Sequence, residues 1–281
     1  MALTFEKWQA LGNDYLIVEA AALPWELTAD RVRAMCSAHF GAHSDGVLLL
    51  SASEDERFVA RLRIFNPDGS EAELSGNGAR EAILYLVQRG WTSETEFSID
   101  TAAGEIRPTV TSPTTCRVAM GQAATMSADY PGGAPDGRGV LEADGRRWEF
   151  QHVSIGNPQC AIAVPEGLEE LDLPAIGPAI ESHELFPNRT NVSFYEVEGA
   201  RVRARIFERG VGETLSSGTG ATGAAVAAHL AGAPADLTVA LDGGELEVEI
   251  GPKLHVHLSG WAVPVYRGSF SDEFTDSLED R

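Results

Sequence analysis

Two stretches of this chain lie over one another without a gap. With Arg63 set against Arg205, an offset of 142, "RIFNPDGSEAELSGNGAREA" covers "RIFERGVGETLSSGTGATGA". Nine of the twenty positions are identical: Arg63/Arg205, Ile64/Ile206, Phe65/Phe207, Glu71/Glu213, Ser75/Ser217, Gly76/Gly218, Gly78/Gly220, Ala79/Ala221 and Ala82/Ala224. Ordinary residue usage gives about one or two by chance. A second pair, "LGNDYLIV" from Leu11 and "IGNPQCAI" from Ile155, matches at an offset of 144. Both offsets are close to half of the 281 residues, so the chain reads as two homologous halves rather than as a short-period solenoid.

The pattern inside each copy predicts its local structure. "ARLRIF" and "ARVRARIF" alternate polar and apolar residues, as half-buried strands do. The stretches after Gly78 and Gly220, "AREAILYLVQR" and "ATGAAVAAHLA", are helical in composition. Each Ser-Gly-x-Gly therefore sits at a helix N-terminus, where free N–H groups and the helix dipole favour an anion. Two such ends related by a pseudo-two-fold could clamp one carboxylate. No G-x-G-x-x-G in a βαβ context is present, which sets a dinucleotide site aside.

Elsewhere, "TADRVRAMCSAHF" reads as a helix capped by Thr28, and "ADLTVALDGGELEVEIG" as a hairpin turning at Asp242-Gly243-Gly244. "SADYPGGAPDGRG" reads as a loop, and "HVHLSGWAVPVYRGSF" as a further pair of strands. The acidic end "SFSDEFTDSLEDR" reads as a frayed tail. The expected fold is α+β: two homologous domains, each a mainly antiparallel sheet or barrel wrapped around a central helix. The boundaries expected from the offsets are 1–119 with a returning C-terminal strand within 265–281, and 120–264.

Composition narrows the partners. A formal net charge of −21 argues against nucleic acid and anionic membranes and leaves a small-molecule substrate. No apolar run reaches the roughly 18 residues of a membrane span, and the N-terminus shows no signal-peptide pattern. Cys36, Cys116 and Cys160 have no metal-ligand spacing, and the expectation is a cytoplasmic protein with reduced thiols. Lys7 and Lys253 are the only lysines, neither in a context suited to pyridoxal phosphate, so neither cofactor nor metal is expected. A homodimer is left open.

The ordered motifs "LGND", "FGAHSDGVLLL", "RIFNPDGSEAELSGNGAR", "GNPQ", "TNVSF" and "FERGVGETLSSGTGAT" span nearly the whole length. Through them the chain resembles the diaminopimelate epimerases, cofactor-independent isomerases of lysine and cell-wall biosynthesis. The resemblance implies that each half supplies one group that handles a proton at the substrate Cα, one on each face. Inversion of a stereocentre needs both, which accounts for the duplication. The family's two cysteines fall here on Ser75 and Ser217.

The resemblance also implies a substrate-binding set. Asn13, Asn66, Asn157 and Asn191 would hydrogen-bond the substrate, with Glu208 and Arg209 reading its distal ammonium and carboxylate. The backbone of Gly76-Asn77 and Gly218-Thr219 would hold the α-carboxylate. Glu208, near the reacting centre, is kept as the ionisable group, so the expected catalytic set is Ser75, Ser217 and Glu208. Further departures accompany the serines: Gln159 follows "GNP" where the family usually has histidine, and Thr222 also departs, while Gly46 falls on a family glutamine position, as expected in some members. Glu81 reads as a helix-surface charge.

The serines carry a chemical cost. A thiol ionises near pH 8.5 and lower still at a helix N-terminus, whereas an alkoxide is negligible at neutral pH without a partner base. A gap of several pKa units is on the order of 5 kcal/mol, or several thousand-fold in rate. Three readings stay open on the sequence: an epimerase with altered acid and base groups, a silent relative that binds an amino acid, and a one-base proton-transfer isomerase. Engineered replacement of two cysteines is disfavoured, because Gln159 and Thr222 depart as well.

Overall fold

The computed structural model describes residues 3–73 and 75–279. Backbone contacts divide the chain into two units, residues 1–118 with 260–281, and residues 119–259.

In the first unit, β1 (Thr4–Ala10), β2 (Asn13–Glu19), β3 (Val47–Ser51), β4 (Ala60–Phe65), β6 (Ile99–Thr101) and β7 (Gly104–Ile106) form a sheet in that order. The short β5 (Glu71–Ala72) pairs with β4, and the returning strand Val263–Ser269 pairs with β1. The pairs β2–β3 and β4–β6 are parallel and the others antiparallel. Helix α1 (Ala29–Cys36) lies in the β2–β3 connection and α2 (Gly76–Gln88) in the β5–β6 connection. A hairpin of β8 (Thr109–Ser112) and β9 (Thr115–Gln122) follows.

The second unit repeats this plan. Its sheet runs β10 (Arg138–Ala143), β11 (Arg146–Ser154), β12 (Pro158–Ala163), β13 (Asn191–Glu198), β14 (Arg201–Glu208), β16 (Asp236–Leu241), β17 (Gly244–Ile250) and β18 (His255–Trp261). Here β12–β13 and β14–β16 are the parallel pairs, and β15 (Gly212–Thr214) pairs with β14. Helix α3 (Leu173–Glu181) lies between β12 and β13, and α4 (Gly218–Leu230) between β15 and β16.

The repeat extends to single contacts. Phe65 pairs with Glu71 in one unit and Phe207 with Glu213 in the other. Arg63 and Glu71 form an ion pair at 2.8 Å, and Arg205 and Glu213 one at 2.6 Å. Identical residues at the same offset thus make the same contacts, which explains why they stand out in the sequence.

Each sheet wraps a helix that has no solvent face along most of its length. Helix α2 is buried from Asn77 to Leu86 and packs on β1, β2 and β3. Helix α4 is buried from Gly220 to Ala228 and packs on β11 to β14, β16 and β17. Its glycines and alanines let the strands approach on every side, as an all-round apolar helix requires. Further apolar layers lie around α1, with Leu16, Val18, Val32 and Met35, and around α3, with Leu173, Ile180, Phe186 and Phe194.

Two expectations are corrected. Glu81 is not a surface charge: it is fully buried, because α2 is enclosed by its sheet. The acidic tail is not frayed over its described part. Ser271 caps a short helix, Asp272–Asp276, and Leu278 is fully buried. Phe270, Phe274 and Leu278 recur every four residues and join the layer around α1. Arg31 fixes the end by donating to the Leu278 and Glu279 carbonyls, both at 2.7 Å. Asp280 and Arg281 lie outside the described residues.

Candidate active site

Both serines are helix N-caps. Ser75 Oγ accepts from the Gly78 amide at 3.1 Å, and Ser217 Oγ from the Gly220 amide at 3.2 Å. Capping fixes each side chain at the positive end of a largely buried helix, beside amides of the Ser-Gly-x-Gly turn that the helix itself leaves free.

In the second unit, Ser217 donates to Glu208 Oε2 at 3.0 Å. Thr214 donates to the other carboxylate oxygen, Oε1, at 2.9 Å. Glu208 ends β14, so the β14–β15 turn delivers it to the α4 cap. Burial raises its pKa above the ordinary carboxylate value, and the Thr214 and Ser217 hydrogen bonds oppose the rise. A carboxylate held by two hydroxyls, with its affinity for a proton raised by desolvation, is equipped to accept one.

Around this pair, Asn157 donates to Thr219 Oγ1 at 3.2 Å, and Gln159 donates to Asn157 Oδ1 at 2.7 Å. Gln159 is fully buried and packed against Gly223, where a Cβ would lie 2.8 Å from the Gln159 Cβ. Thr222 bonds back to the Gly218 carbonyl at 2.8 Å. Asn191 is buried; its Oδ1 accepts from the Arg209 amide at 2.9 Å and its Nδ2 donates to the Pro158 carbonyl at 3.2 Å. It therefore ties β12 to the Glu208-Arg209 corner. Arg209 donates to the Asn188 carbonyl at 3.0 Å.

In the first unit, Asn13 and Asn77 bridge at 3.2 Å, the counterpart of Asn157 and Thr219. Asn13 also donates to Asp45 at 2.8 Å, and Arg80 donates to Asn77 Oδ1 at 2.5 Å. Asn66, at the position that repeats as Glu208, sits in a turn and donates to Ser70 at 3.0 Å. Ser75 has a different partner: the Tyr15 hydroxyl donates to its Oγ at 3.2 Å.

Within each unit, part of the expected set lies at the helix cap, while Asn191 bonds to the Arg209 amide and the Pro158 carbonyl, and Arg209 to the Asn188 carbonyl. Asn13, Gly76 and Asn77 join Ser75, and Asn157, Glu208, Gly218 and Thr219 join Ser217, while Asn66 stands in its own turn. Sequence reasoning missed Tyr15, Thr214 and Asp45. Tyr15 was within reach, because the 144-residue offset places it over Gln159. Its position in the apolar run "YLIV" makes it read as core. Among the described residues, no group of three His, Cys, Asp or Glu side chains is arranged to hold a metal, and no helix is long and apolar enough to cross a membrane.

Comparisons with known proteins agree with this architecture. The sequence profile of the diaminopimelate epimerases matches residues 5–126 and 151–264. A diaminopimelate epimerase of Synechococcus sp. (strain JA-3-3Ab) is 40% identical over 282 residues, covering 96% of this chain and 99% of that protein. One from Moorella thermoacetica is 39% identical over 278 residues, covering 95% and 98%. Among solved structures, a Bacillus anthracis phenazine biosynthesis protein of the PhzF family has a TM-score of 0.69 at 20% identity, covering 96% of this chain and 99% of that one. A probable proline racemase from Agrobacterium radiobacter has a TM-score of 0.66 at 14% identity, covering 97% and 93%. These two share the fold. With its duplicated α+β plan and its family motifs running through both units, the chain belongs to the diaminopimelate epimerase family.

Proposed function

We propose that this protein inverts an amino-acid Cα without a cofactor, converting LL- to meso-diaminopimelate, with Ser75 and Ser217 each serving one face of that carbon. The observation that carries the reading is the Ser217–Glu208 hydrogen bond at 3.0 Å on a helix cap, in a relative 40% identical to a named epimerase. Glu208 supplies the base that a serine lacks. As Ser217 Oγ takes the Cα proton, its own proton passes to Glu208 Oε2. The Cα–H bond breaks, and the electron pair stays on carbon. Ser75 delivers its hydroxyl proton to the other face. The amides at the start of each helix favour the substrate carboxylate and the charge that develops beside it.

The substrate set in this reading is Asn13, Asn66, Asn157, Asn191 and Arg209, together with the Gly76-Asn77 and Gly218-Thr219 backbones. The two compact units are taken as the two epimerase-like halves. The acidic balance favours a small-molecule partner over nucleic acid. The test is incubation with LL-diaminopimelate and other amino acids in D₂O. Deuterium at Cα together with inversion supports the reading. Exchange without inversion replaces it with one-base chemistry. Ligand binding with neither leaves an amino-acid-binding protein.

A further inference from the structure

The two serines are wired differently. Ser217 is a donor to a carboxylate, whereas Ser75 is an acceptor from a phenol. We infer that Tyr15 is a positioning residue for Ser75, and that it takes the place of a carboxylate on that face. The inference rests on Ser75 being a proton-transfer group, as proposed above.

Tyr15 is set for this role by packing. It is 6% exposed, on β2, with its ring against the N-terminus of α2. The ring fits between two glycines. A Cβ on Gly46 would lie 2.7 Å from Tyr15 Cε1, and one on Gly78 would lie 3.3 Å from Cε2. Any larger side chain at residue 46 would displace the ring. The position that repeats as Glu208 holds Asn66, whose amide is bonded to Ser70, so the first unit offers Ser75 a phenol from another strand instead.

With the Tyr15 hydroxyl as donor, the Ser75 proton also has a direction. Ser75 Oγ accepts from the Tyr15 hydroxyl and from the Gly78 amide, at 3.2 and 3.1 Å. Both acceptor sites of the serine oxygen are then filled, and its own proton is left to be given away. When that proton goes to Cα, the Oγ–H bond breaks and the charge left on Oγ faces two donors. The Tyr15 proton then moves to Oγ. The charge comes to rest on the phenol oxygen, which is more acidic than an alcohol, and water returns the proton.

The test replaces the serine with a group whose ionisation can be read directly. In Ser75→Cys, the rate of alkylation by iodoacetamide is followed against pH and compared with Ser75→Cys/Tyr15→Phe. The native thiols do not compete, being buried: Cys36 is pushed up to about 11, Cys116 to about 12, and Cys160 also upward, each by desolvation. A phenol donating to the thiolate should lower the midpoint in Ser75→Cys, giving at least about tenfold more thiolate than in the double variant at any pH below both midpoints. Coincident midpoints in two folded variants overturn the inference. In the serine enzyme, Tyr15→Phe should lower kcat about tenfold or more and leave KM within about twofold. A rise in KM with kcat unchanged would mean that the ring only packs, and would also overturn it. A wild type that neither exchanges nor inverts defeats the proposed function, while the thiol midpoints still decide the role of Tyr15.

Discussion

Glu208→Gln is the substitution whose consequences the geometry fixes most closely. The amide has the same shape, keeps one oxygen to accept from one of the Thr214 and Ser217 hydroxyls while its NH2 donates to the other, and leaves the α4 cap in place, since Ser217 keeps its bond to the Gly220 amide. What disappears is the capacity to take a proton from Ser217. General-base catalysis by a positioned group contributes about 10²–10⁴-fold, or roughly 3–5 kcal/mol of barrier. The loss should fall on kcat, with KM little changed, because the side chain keeps its shape and stays hydrogen-bonded to both hydroxyls. The pH dependence follows from the direction of the shift. Burial raises the pKa of Glu208, and a base works only when deprotonated. Wild-type activity should therefore rise with pH through a midpoint above the ordinary carboxylate value, and that limb should be missing from Glu208→Gln. The assay is Cα deuterium incorporation from D₂O, followed by NMR across the pH range. If Glu208→Gln keeps more than about a third of wild-type exchange, the serine–carboxylate relay is wrong.

Other outcomes follow from the packing. Glu81 is fully buried, its oxygens lack a well-formed hydrogen bond among the described residues, and burial raises its pKa well above the carboxylate range, with Arg80 and the Tyr15 backbone amide opposing. A carboxyl whose folded pKa is raised contributes stability that is full below its unfolded value and is lost as pH rises toward the folded value. Denaturant melts should show Glu81→Gln free of that decline, and more stable than wild type by about 1–3 kcal/mol at the upper end of the window. Gly46→Ala places a Cβ 2.1 Å from the Phe65 carbonyl oxygen as well as against Tyr15, and should cost about 1–3 kcal/mol in the same melts. Leu278→Ala removes a fully buried side chain and should cost about 2 kcal/mol or more, with proteolysis at the C-terminus reporting release of the Asp272–Asp276 helix.

The duplication was legible because identical residues do identical work. Arg63 with Glu71 and Arg205 with Glu213 are both strand-to-strand ion pairs, and Ser75 and Ser217 are both caps. The central helices were legible from composition, but not their enclosure. Glu81 looks exposed in "AREAILYLVQ", because a charge in an amphipathic stretch ordinarily marks the solvent face, and here the sheet closes over that face. The tail misled in the opposite sense: its acids hid the Phe270, Phe274, Leu278 spacing. Tyr15 was hidden by its apolar neighbours. Its role depends on room left by Gly46 and Gly78, from segments about 30 and 60 residues away, and no local pattern carries that information.

The most direct measurement compares wild type with two double variants in one assay, inversion of LL-diaminopimelate in D₂O with deuterium counted at Cα. Ser75→Ala/Ser217→Ala should abolish inversion while ligand binding persists. Ser75→Cys/Ser217→Cys should invert faster than wild type, because thiols ionise several units more readily than alcohols at the same helix caps. Inversion by the double-alanine variant at the wild-type rate would contradict the claim that the serines carry the protons. So would a double-cysteine variant that binds ligand but, like an inactive wild type, neither exchanges nor inverts.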